Sequence, residues 1–568
     1  MSDSGKTDHR KVLVIGLDGA TFAYILPRMN AGQLPNLARV MEEGNWGNLL
    51  STIPFFTMPA WSSFMTGKNP AKHGVISFFQ RDPTGYDFEE AGKFANASQI
   101  RDATLWQLLS ASGKRMGLIN VPMTYPPSEV NGFMISGMLT PGKTSTYTFP
   151  ASLADILSDY VIDLEYLRTE DHFDLSGIPN QEVLLADITH MLRKRGESSL
   201  RLMAEYQWDL FMTVFTSPDR ICHFFWDYLD LDSPSDRVRD PEIEAGIEEY
   251  FRLLDQILGD MITLAGGDTT VLIVSDHGFG PAPTRRVNIN NWLKDLGLLC
   301  LHKGVDRVTS LSYLNLWLGR NHKLKSLLKQ ILPTGVQQTI QERDRGKDSW
   351  LIDWSRTQAY CQPLYANVCG IGINQKGSKR EGIVPPGPEY ERLRDRLINE
   401  ALKISDPSSG RLIVKAAYRR EEVYEGKFIG SFPDIILIMD SDYFSSTSMM
   451  HSDLVMPNSR RHFIGDHRQE GIFIISGSHI RQGRLDHDIN IVDIAPTILY
   501  LLGVGIPEDM DGKVPLEVFE ESHARAVPPR YMPVQPESYL PEFADDEVYS
   551  DEEAEEIRER LKSLGYLG

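Results

Sequence analysis

Short runs that are apolar at nearly every position recur along the chain, separated by stretches with helical periodicity. The runs are VLVIGL (12–17), RMGLINV (115–121), LFMTVF (210–215), TVLIVS (270–275), DIILIM (434–439) and GIFIIS (471–476). PNLARVMEEG (35–44) and TLWQLLSASG (104–113) carry the helical pattern. Strands without polar alternation are buried on both faces, so the pattern predicts an α/β fold with a mostly parallel central sheet and helices on both faces. Three runs end in residues with chemistry: Asp18-Gly19, Thr216-Ser217-Pro218-Asp219, and Asp276-His277-Gly278. Ligands of open α/β sheets bind beyond the carboxyl ends of the strands, so these acids are expected to converge on one crevice.

Two regions break the pattern and divide the chain. The expected core runs over 1–140, 206–286 and 431–520, with inserted cap segments at 141–205 and 287–430. The second insertion contains two amphipathic stretches, LSYLNLWLG and KLKSLLKQIL. The remainder, 521–568, is Pro-rich, then acidic, and ends in a predicted helix. There Ser550 and Glu553 have capping-box spacing, and Ile557, Leu561 and Leu564 share one face.

Composition narrows the function classes. The chain has 568 residues, 58 Lys+Arg against 78 Asp+Glu, and a formal charge of −20. No basic block stands out, which argues against binding of nucleic-acid polymers or anionic membranes. Half of that charge sits in residues 536–556, which hold ten acids and no Lys or Arg, so the body of the chain remains compatible with a phosphate substrate. The tail is expected to act as a solvated spacer whose helix docks on its own domain or on a second copy of the chain. Four cysteines (Cys222, Cys300, Cys361, Cys369) form neither a CxxC pair nor a disulfide framework. With no leader-like segment and no membrane-length apolar stretch, the expected location is cytoplasmic.

The candidate chemistry is a set of metal-ligand types. Asp219 and His223 are spaced i,i+4, which puts both on one face of a helical turn and suits chelation of one ion. Asp276 and His277 are adjacent at a strand end, where Gly278 and Gly280 allow the backbone to turn. Carboxylate with imidazole suits Zn²⁺ or Mn²⁺ better than Ca²⁺ or Mg²⁺. Thr57 precedes Met58-Pro59 and an apolar helical run, so it is read either as a hydroxyl at an anion-stabilising helix N-terminus or simply as the N-cap.

These residues fall in an order that resembles the alkaline phosphatase superfamily. LDG near the N-terminus, a Thr before TGxxPxxHG (66–74), Asp-x3-His, SDHG, and a later Gly-Asp-His (465–467) carry the resemblance. INVPMTYPP (119–127), DHRQEGIFIISG (466–477) and IVDIAPTILYLLGVGIPEDMDG (491–512) point to the bacterial and archaeal type I phosphodiesterase/nucleotide pyrophosphatase branch. The resemblance implies an alkaline phosphatase-like core with cap insertions, and two divalent ions, zinc ahead of manganese. One ion is held by Asp18, Asp276, His277 and the Thr57 oxygen, the other by Asp219, His223 and His467. It further implies Thr57 as the nucleophile in hydrolysis of a small phosphate ester, possibly nucleotide-containing. Monoester or phosphonate hydrolysis, phosphotransfer on the same site, and a non-catalytic scaffold are the alternatives.

His462 is the rival of His467 for the seventh ligand position. His73 reads as structural, and Asp466 as a turn residue or a neighbour of the ligands. Lys68, Arg81 and Arg220 lie near the motifs and are candidates for contact with an anionic substrate. Phe78 stands where the pyrophosphatases carry a phosphate-binding Asn, a departure that bears on substrate class. The C/S-x-P-x-R motif of sulfatases is missing, and Thr57 stands in place of a serine nucleophile, although Ser62 and Ser63 are close by.

Overall fold

The computed structural model describes residues 10–563 apart from 81, 83, 87–92, 165–179, 231–238, 303–350, 448, 450–452, 459–462 and 534–547. Both amphipathic stretches of the second insertion, Arg81 and His462 lie outside the described residues.

The central sheet is mixed. Its order is Gly483–Arg484, Asn45–Leu50, Glu470–Ser476, Thr269–Val274, Lys11–Leu17, Leu210–Phe215, Met116–Val121, Gly132–Ser136, Thr148–Phe149, with Ile489–Asn490 also on Asn45–Leu50. From Thr269–Val274 to Gly132–Ser136 all neighbours are parallel. Glu470–Ser476 runs antiparallel to both its neighbours. Its unbroken apolar sequence reflects burial on both faces rather than strand direction: Ile472 and Ile474 join the core on one side, Phe473 and Ile475 that on the other.

The same alternation splits every central strand. Leu13, Ile15 and Leu17 face helices Pro35–Glu43, Gln181–Glu205 and Pro241–Ala265, while Val12 and Val14 face helices Thr57–Thr66 and Ile494–Leu501. Burying a side chain of this size contributes roughly 1.5–3 kcal/mol, so the two-sided pattern fixes the register of the sheet.

DIILIM, which reads like a central strand, belongs elsewhere. Ile435–Met439 pairs in a separate four-stranded antiparallel sheet ordered Ala359–Tyr365, Val368–Ile373, Ile435–Met439, Val414–Arg419. One face of this small sheet is covered by helix Pro388–Ala401. The other, through Val368 and Ile436, packs on Phe55, Ala71 and Ile76. The small sheet therefore sits against the loop that carries Thr57.

The terminal helix Asp551–Ser563 docks on its own chain. Ser550 and Glu553 form the expected capping box (3.0 and 3.2 Å). Ile557 and Leu561 are buried in the core that also contains Phe94, Leu139 and Trp106. Arg560 donates to Thr140 O at 2.8 Å, and Tyr549 to Leu139 O at 3.1 Å. With its apolar face used internally, the helix offers its charged face outward. Removing residues 548–568 is expected to cost about 3 kcal/mol or more of stability from the loss of the two buried aliphatic contacts of Ile557 and Leu561, read as a lower thermal midpoint. The ligand cluster does not touch the helix, so metal content should stay unchanged; its loss on truncation would contradict this division.

Candidate metal centre and nucleophile

The crevice forms where the sheet changes strand direction. Lys11–Leu17 delivers Asp18, held by a turn in which Gly19 adopts φ +69°. A Cβ at position 19 would come within 2.6 Å of the Phe279 ring, so both conformation and space require glycine. Asp18 Oδ2 accepts from Trp61 Nε1 at 3.4 Å, and Gly19 N–H donates to Asp276 Oδ1 at 3.2 Å.

Asp276 and His277 follow Thr269–Val274, and the chain then enters strand Gly278–Pro281 rather than a glycine turn. Gly278 serves close approach: a Cβ there would lie 1.9 Å from the Glu470 carbonyl. Gly278–Pro281 pairs antiparallel with Gly465–Arg468, setting His467 opposite Phe279. Because Gly465–Arg468 leads into the antiparallel strand Glu470–Ser476, His467 arrives at the carboxyl edge of the parallel strands from just before that strand.

Helix Ser217–Leu229 opens immediately after strand Leu210–Phe215 with Pro218 in its first turn. The i,i+4 spacing brings the two side chains together: Asp219 Oδ1 lies 3.5 Å from His223 Nε2. His467 Nε2 lies 3.3 Å from the same oxygen and 3.2 Å from His223 Nε2.

Thr57 is the first residue of helix Thr57–Thr66, and Phe56, in extended conformation, is the N-cap. Thr57 is therefore not the N-cap, and its Oγ1 faces His277 Nε2 at 3.4 Å. A helix leaves its first N–H groups without intrahelical partners, and Pro59 has none, so Thr57 and Met58 supply the donors at this end.

All seven candidate ligands are at most 2% exposed. Three imidazoles are oriented alike: Nδ1 of His223, His277 and His467 lies 3.1, 3.2 and 3.3 Å from the carbonyls of Gly465, Gly278 and Phe55. A carbonyl only accepts, so each Nδ1 carries the hydrogen and each Nε2 lone pair points into the cluster. Burial pushes His223 down to about 3, and burial together with His467 pushes His277 well below its ordinary range, so both are neutral at pH 7.

The carboxylates are crowded. Burial, then Asp276 and Asp219, pushes Asp18 well above the usual carboxylate range, and burial raises Asp276 to about 8. Asp219 is held well below that range: burial acts upward, and is outweighed by His223, His467 and Arg220.

Asp18 Oδ1 and Asp276 Oδ2 are buried with no hydrogen-bond partner. Leaving such oxygens unpaired is costly, and a cation is the partner their chemistry calls for. Asp18, Asp276 and His277 bring their ligand atoms within 4.8 Å of one another, as do Asp219, His277 and His467. The residues present fit divalent cations.

Other candidates take different places. Lys68 lies beyond the far end of helix Thr57–Thr66, about 15 Å along the axis from Thr57. Its ammonium pairs with Asp102 (2.7 Å) and Asp509, so its role is to tie this loop to the 509–511 segment. Lys68→Met is expected to cost about 1–3 kcal/mol of stability while leaving KM within about twofold; a selective rise in KM would return Lys68 to the substrate. His73 donates through Nε2 to Ser63 Oγ at 2.9 Å, and its Nδ1 accepts from Val75 N–H at 3.2 Å, a structural arrangement. Asp466 accepts from His467 N–H at 2.8 Å within strand Gly465–Arg468. Arg220 reaches the centre through Asp219, at 2.6 Å.

Trp61 and Tyr365 join the site without having been singled out in the sequence. Trp61 is i+4 from Thr57, a spacing that would have placed it on the same helix face as Thr57. Tyr365, at the end of strand Ala359–Tyr365, stacks on Phe56 (4.4 Å between ring centroids) and approaches His467 (4.7 Å). No local pattern marks it, because the small sheet brings it there. Phe78 packs edge-on against Phe56 at 4.6 Å, so that position presents an aromatic wall and no amide.

Residues 12–468 match the family Type I phosphodiesterase / nucleotide pyrophosphatase. The chain belongs to this family. The family lies within the alkaline phosphatase superfamily, and every candidate ligand and Thr57 fall within the matched span. Membership of this hydrolase family assigns the chain to phosphodiester or pyrophosphate hydrolysis as a class. Among solved structures, phosphonoacetate hydrolase from Sinorhizobium meliloti 1021, in complex with phosphonoformate, is similar at 16% identity. The match covers 87% of this chain and 96% of that one, with a TM-score of 0.52, a shared fold. An inactive murine ectonucleotide pyrophosphatase / phosphodiesterase 5 in complex with AMP matches at 13% identity, 87% and 95% coverage and a TM-score of 0.45.

Proposed function

We propose that this type I phosphodiesterase is a two-metal phosphoester hydrolase that works through a phosphothreonine on Thr57. Asp18, Asp276, His277 and the Thr57 oxygen would hold one divalent ion, Asp219, His223 and His467 the other, with zinc ahead of manganese. The observation that carries the reading is the placement of Thr57 Oγ1 at a helix start, 3.4 Å from His277 Nε2 and beside the partnerless oxygens of Asp18 and Asp276.

Bound dications would lower the pKa of the threonine hydroxyl and stabilise charge on the attacking and leaving oxygens. The chain's own groups do the rest. Trp61 and the Gly19 N–H fix the rotamers of Asp18 and Asp276, and the three carbonyls fix the imidazoles, so the nucleophile meets a rigid wall. The helix-start N–H groups are placed to receive anionic phosphoryl oxygens. Attack by Thr57 Oγ1 on phosphorus forms the P–O bond as the alcohol or nucleotide leaves with a proton. Water then cleaves the phosphothreonine and regenerates the hydroxyl.

The substrate we infer is a small phosphate diester or pyrophosphate. The aromatic wall at Phe78 favours, as a second reading, a monoester or phosphonate, since an amide donor to the phosphoryl group is missing there. Hydrolysis of bis-p-nitrophenyl phosphate, p-nitrophenyl phosphate and phosphonoacetate by one preparation separates them. Diester preference is expected; turnover confined to the monoester or the phosphonate would establish the second.

A further inference from the structure

Arg220 is 1% exposed and stands next to a metal-ligand candidate, where a positive charge works against cation binding unless it has another task. Its Nη1 donates to Asp219 Oδ2 at 2.6 Å, and its Nη2 lies 3.5 Å from Asp163 Oδ2. Asp163, 5% exposed, belongs to the segment after the short helix Ala151–Ile156, and its Oδ1 accepts from Leu164 N–H at 2.8 Å. That segment is itself clamped. Arg195 on helix Gln181–Glu205 donates to Val161 O (3.2 Å) and Ile162 O (2.9 Å), and to Thr216 Oγ1 (2.9 Å) just before the helix that carries Asp219.

We propose that Arg220 is a positioning residue: anchored by Asp163, it occupies Asp219 Oδ2 and commits Asp219 to offer Oδ1 alone to the ion shared with His223 and His467. Oδ1 is the oxygen that lies 3.5 Å from His223 Nε2 and 3.3 Å from His467 Nε2. A carboxylate with one oxygen engaged by a short charge-assisted hydrogen bond coordinates through the other, and its rotamer is set before the ion arrives. The planar guanidinium spans two carboxylates in a way that an ammonium on a flexible stem does not. The segment around 160–164 thereby takes part in the metal site without touching it. This inference rests on the two-metal reading above, and it differs from the expectation that Arg220 contacts substrate.

The test is a Zn²⁺ titration of the full chain against a chromophoric chelator, for wild type, Arg220→Gln, Arg220→Lys and Asp163→Asn. KM and kcat for bis-p-nitrophenyl phosphate are measured alongside. We expect two affinities in the wild type. In Arg220→Gln one should weaken about 10–100-fold and the other stay unchanged, with no rescue in Arg220→Lys. Asp163→Asn should weaken the same affinity in the same direction, which keeps the test available if Arg220→Gln does not fold. A Co²⁺-substituted sample should show an altered visible spectrum in the same variants, which simple loss of stability would not produce. Variants that retain both affinities while KM alone rises would overturn the inference and return Arg220 to the substrate. A wild type that takes up no divalent metal would overturn the two-metal reading, and the inference with it.

Discussion

Replacing Thr57 by alanine is expected to lower kcat by about 10⁴-fold or more while metal content stays close to that of the wild type. The size follows from position. Thr57 Oγ1 is at the helix start, 1% exposed and directed at His277, so no neighbouring hydroxyl can take its place. Ser62 and Ser63 are one and nearly two turns further along the same helix, and Ser63 is engaged with His73. Metal content should survive because three other groups, Asp18, Asp276 and His277, remain around that position. Thr57→Ser keeps the oxygen and should keep a measurable fraction of the rate. Steady-state kinetics with elemental analysis of the same samples checks both variants; an alanine variant within tenfold of the wild type would mean that water, and not Thr57, attacks phosphorus.

The second large effect is expected at the two halves of the ligand cluster taken separately. Asp276→Asn and His467→Gln should each lower kcat by about 10³-fold or more, and each should reduce bound metal by one ion of two. The two variants should differ in the metal-free state. Asp18 and Asp276 are buried carboxylates facing the same space; burial disfavours the charge on both, and the Asp276 charge adds repulsion on Asp18. Replacing Asp276 by a neutral isostere removes that repulsion, so chelator-treated Asp276→Asn should melt no lower than chelator-treated wild type. His467→Gln removes no negative charge, gains no such relief, and loses its stacking on His277 (3.6 Å between centroids). Thermal melts with and without chelator test the contrast. A metal-free Asp276→Asn that melts several degrees below metal-free wild type would mean that the cluster is held together by its own hydrogen bonds and is not organised around cations.

The ligand types could be read from the sequence because each sits at a strand end or on one helical turn, where local spacing determines which side chains share a face. Asp219 and His223 are the clear case. The joining of the two halves rests on His467, which reaches the cluster through a long-range antiparallel pairing with Gly278–Pro281 that local periodicity cannot register; only its family-like context separated it from His462. DIILIM was misplaced for a related reason: a buried strand has the same composition whichever sheet it joins, and Ile435–Met439 joins the small one. Lys68 looked like a substrate contact from its closeness in sequence to Thr57, but a helix carries it away. Arg220 was placed near the chemistry, while its partner Asp163, 57 positions earlier in the sequence, has no pattern that ties it to Asp219. Tyr365 and Asp163 are products of tertiary structure: the small sheet brings the first to the crevice, and the second lies outside the helices and strands.

The central claim is that these residues hold two divalent ions around Thr57. Crystals of the wild type grown with Zn²⁺, measured at and below the zinc absorption edge, test it most directly. The account predicts two anomalous peaks, one at about 2 Å from Asp18, Asp276, His277 and Thr57 and one at the same distance from Asp219, His223 and His467. A single peak, or peaks that leave either set of side chains without an ion, would contradict it.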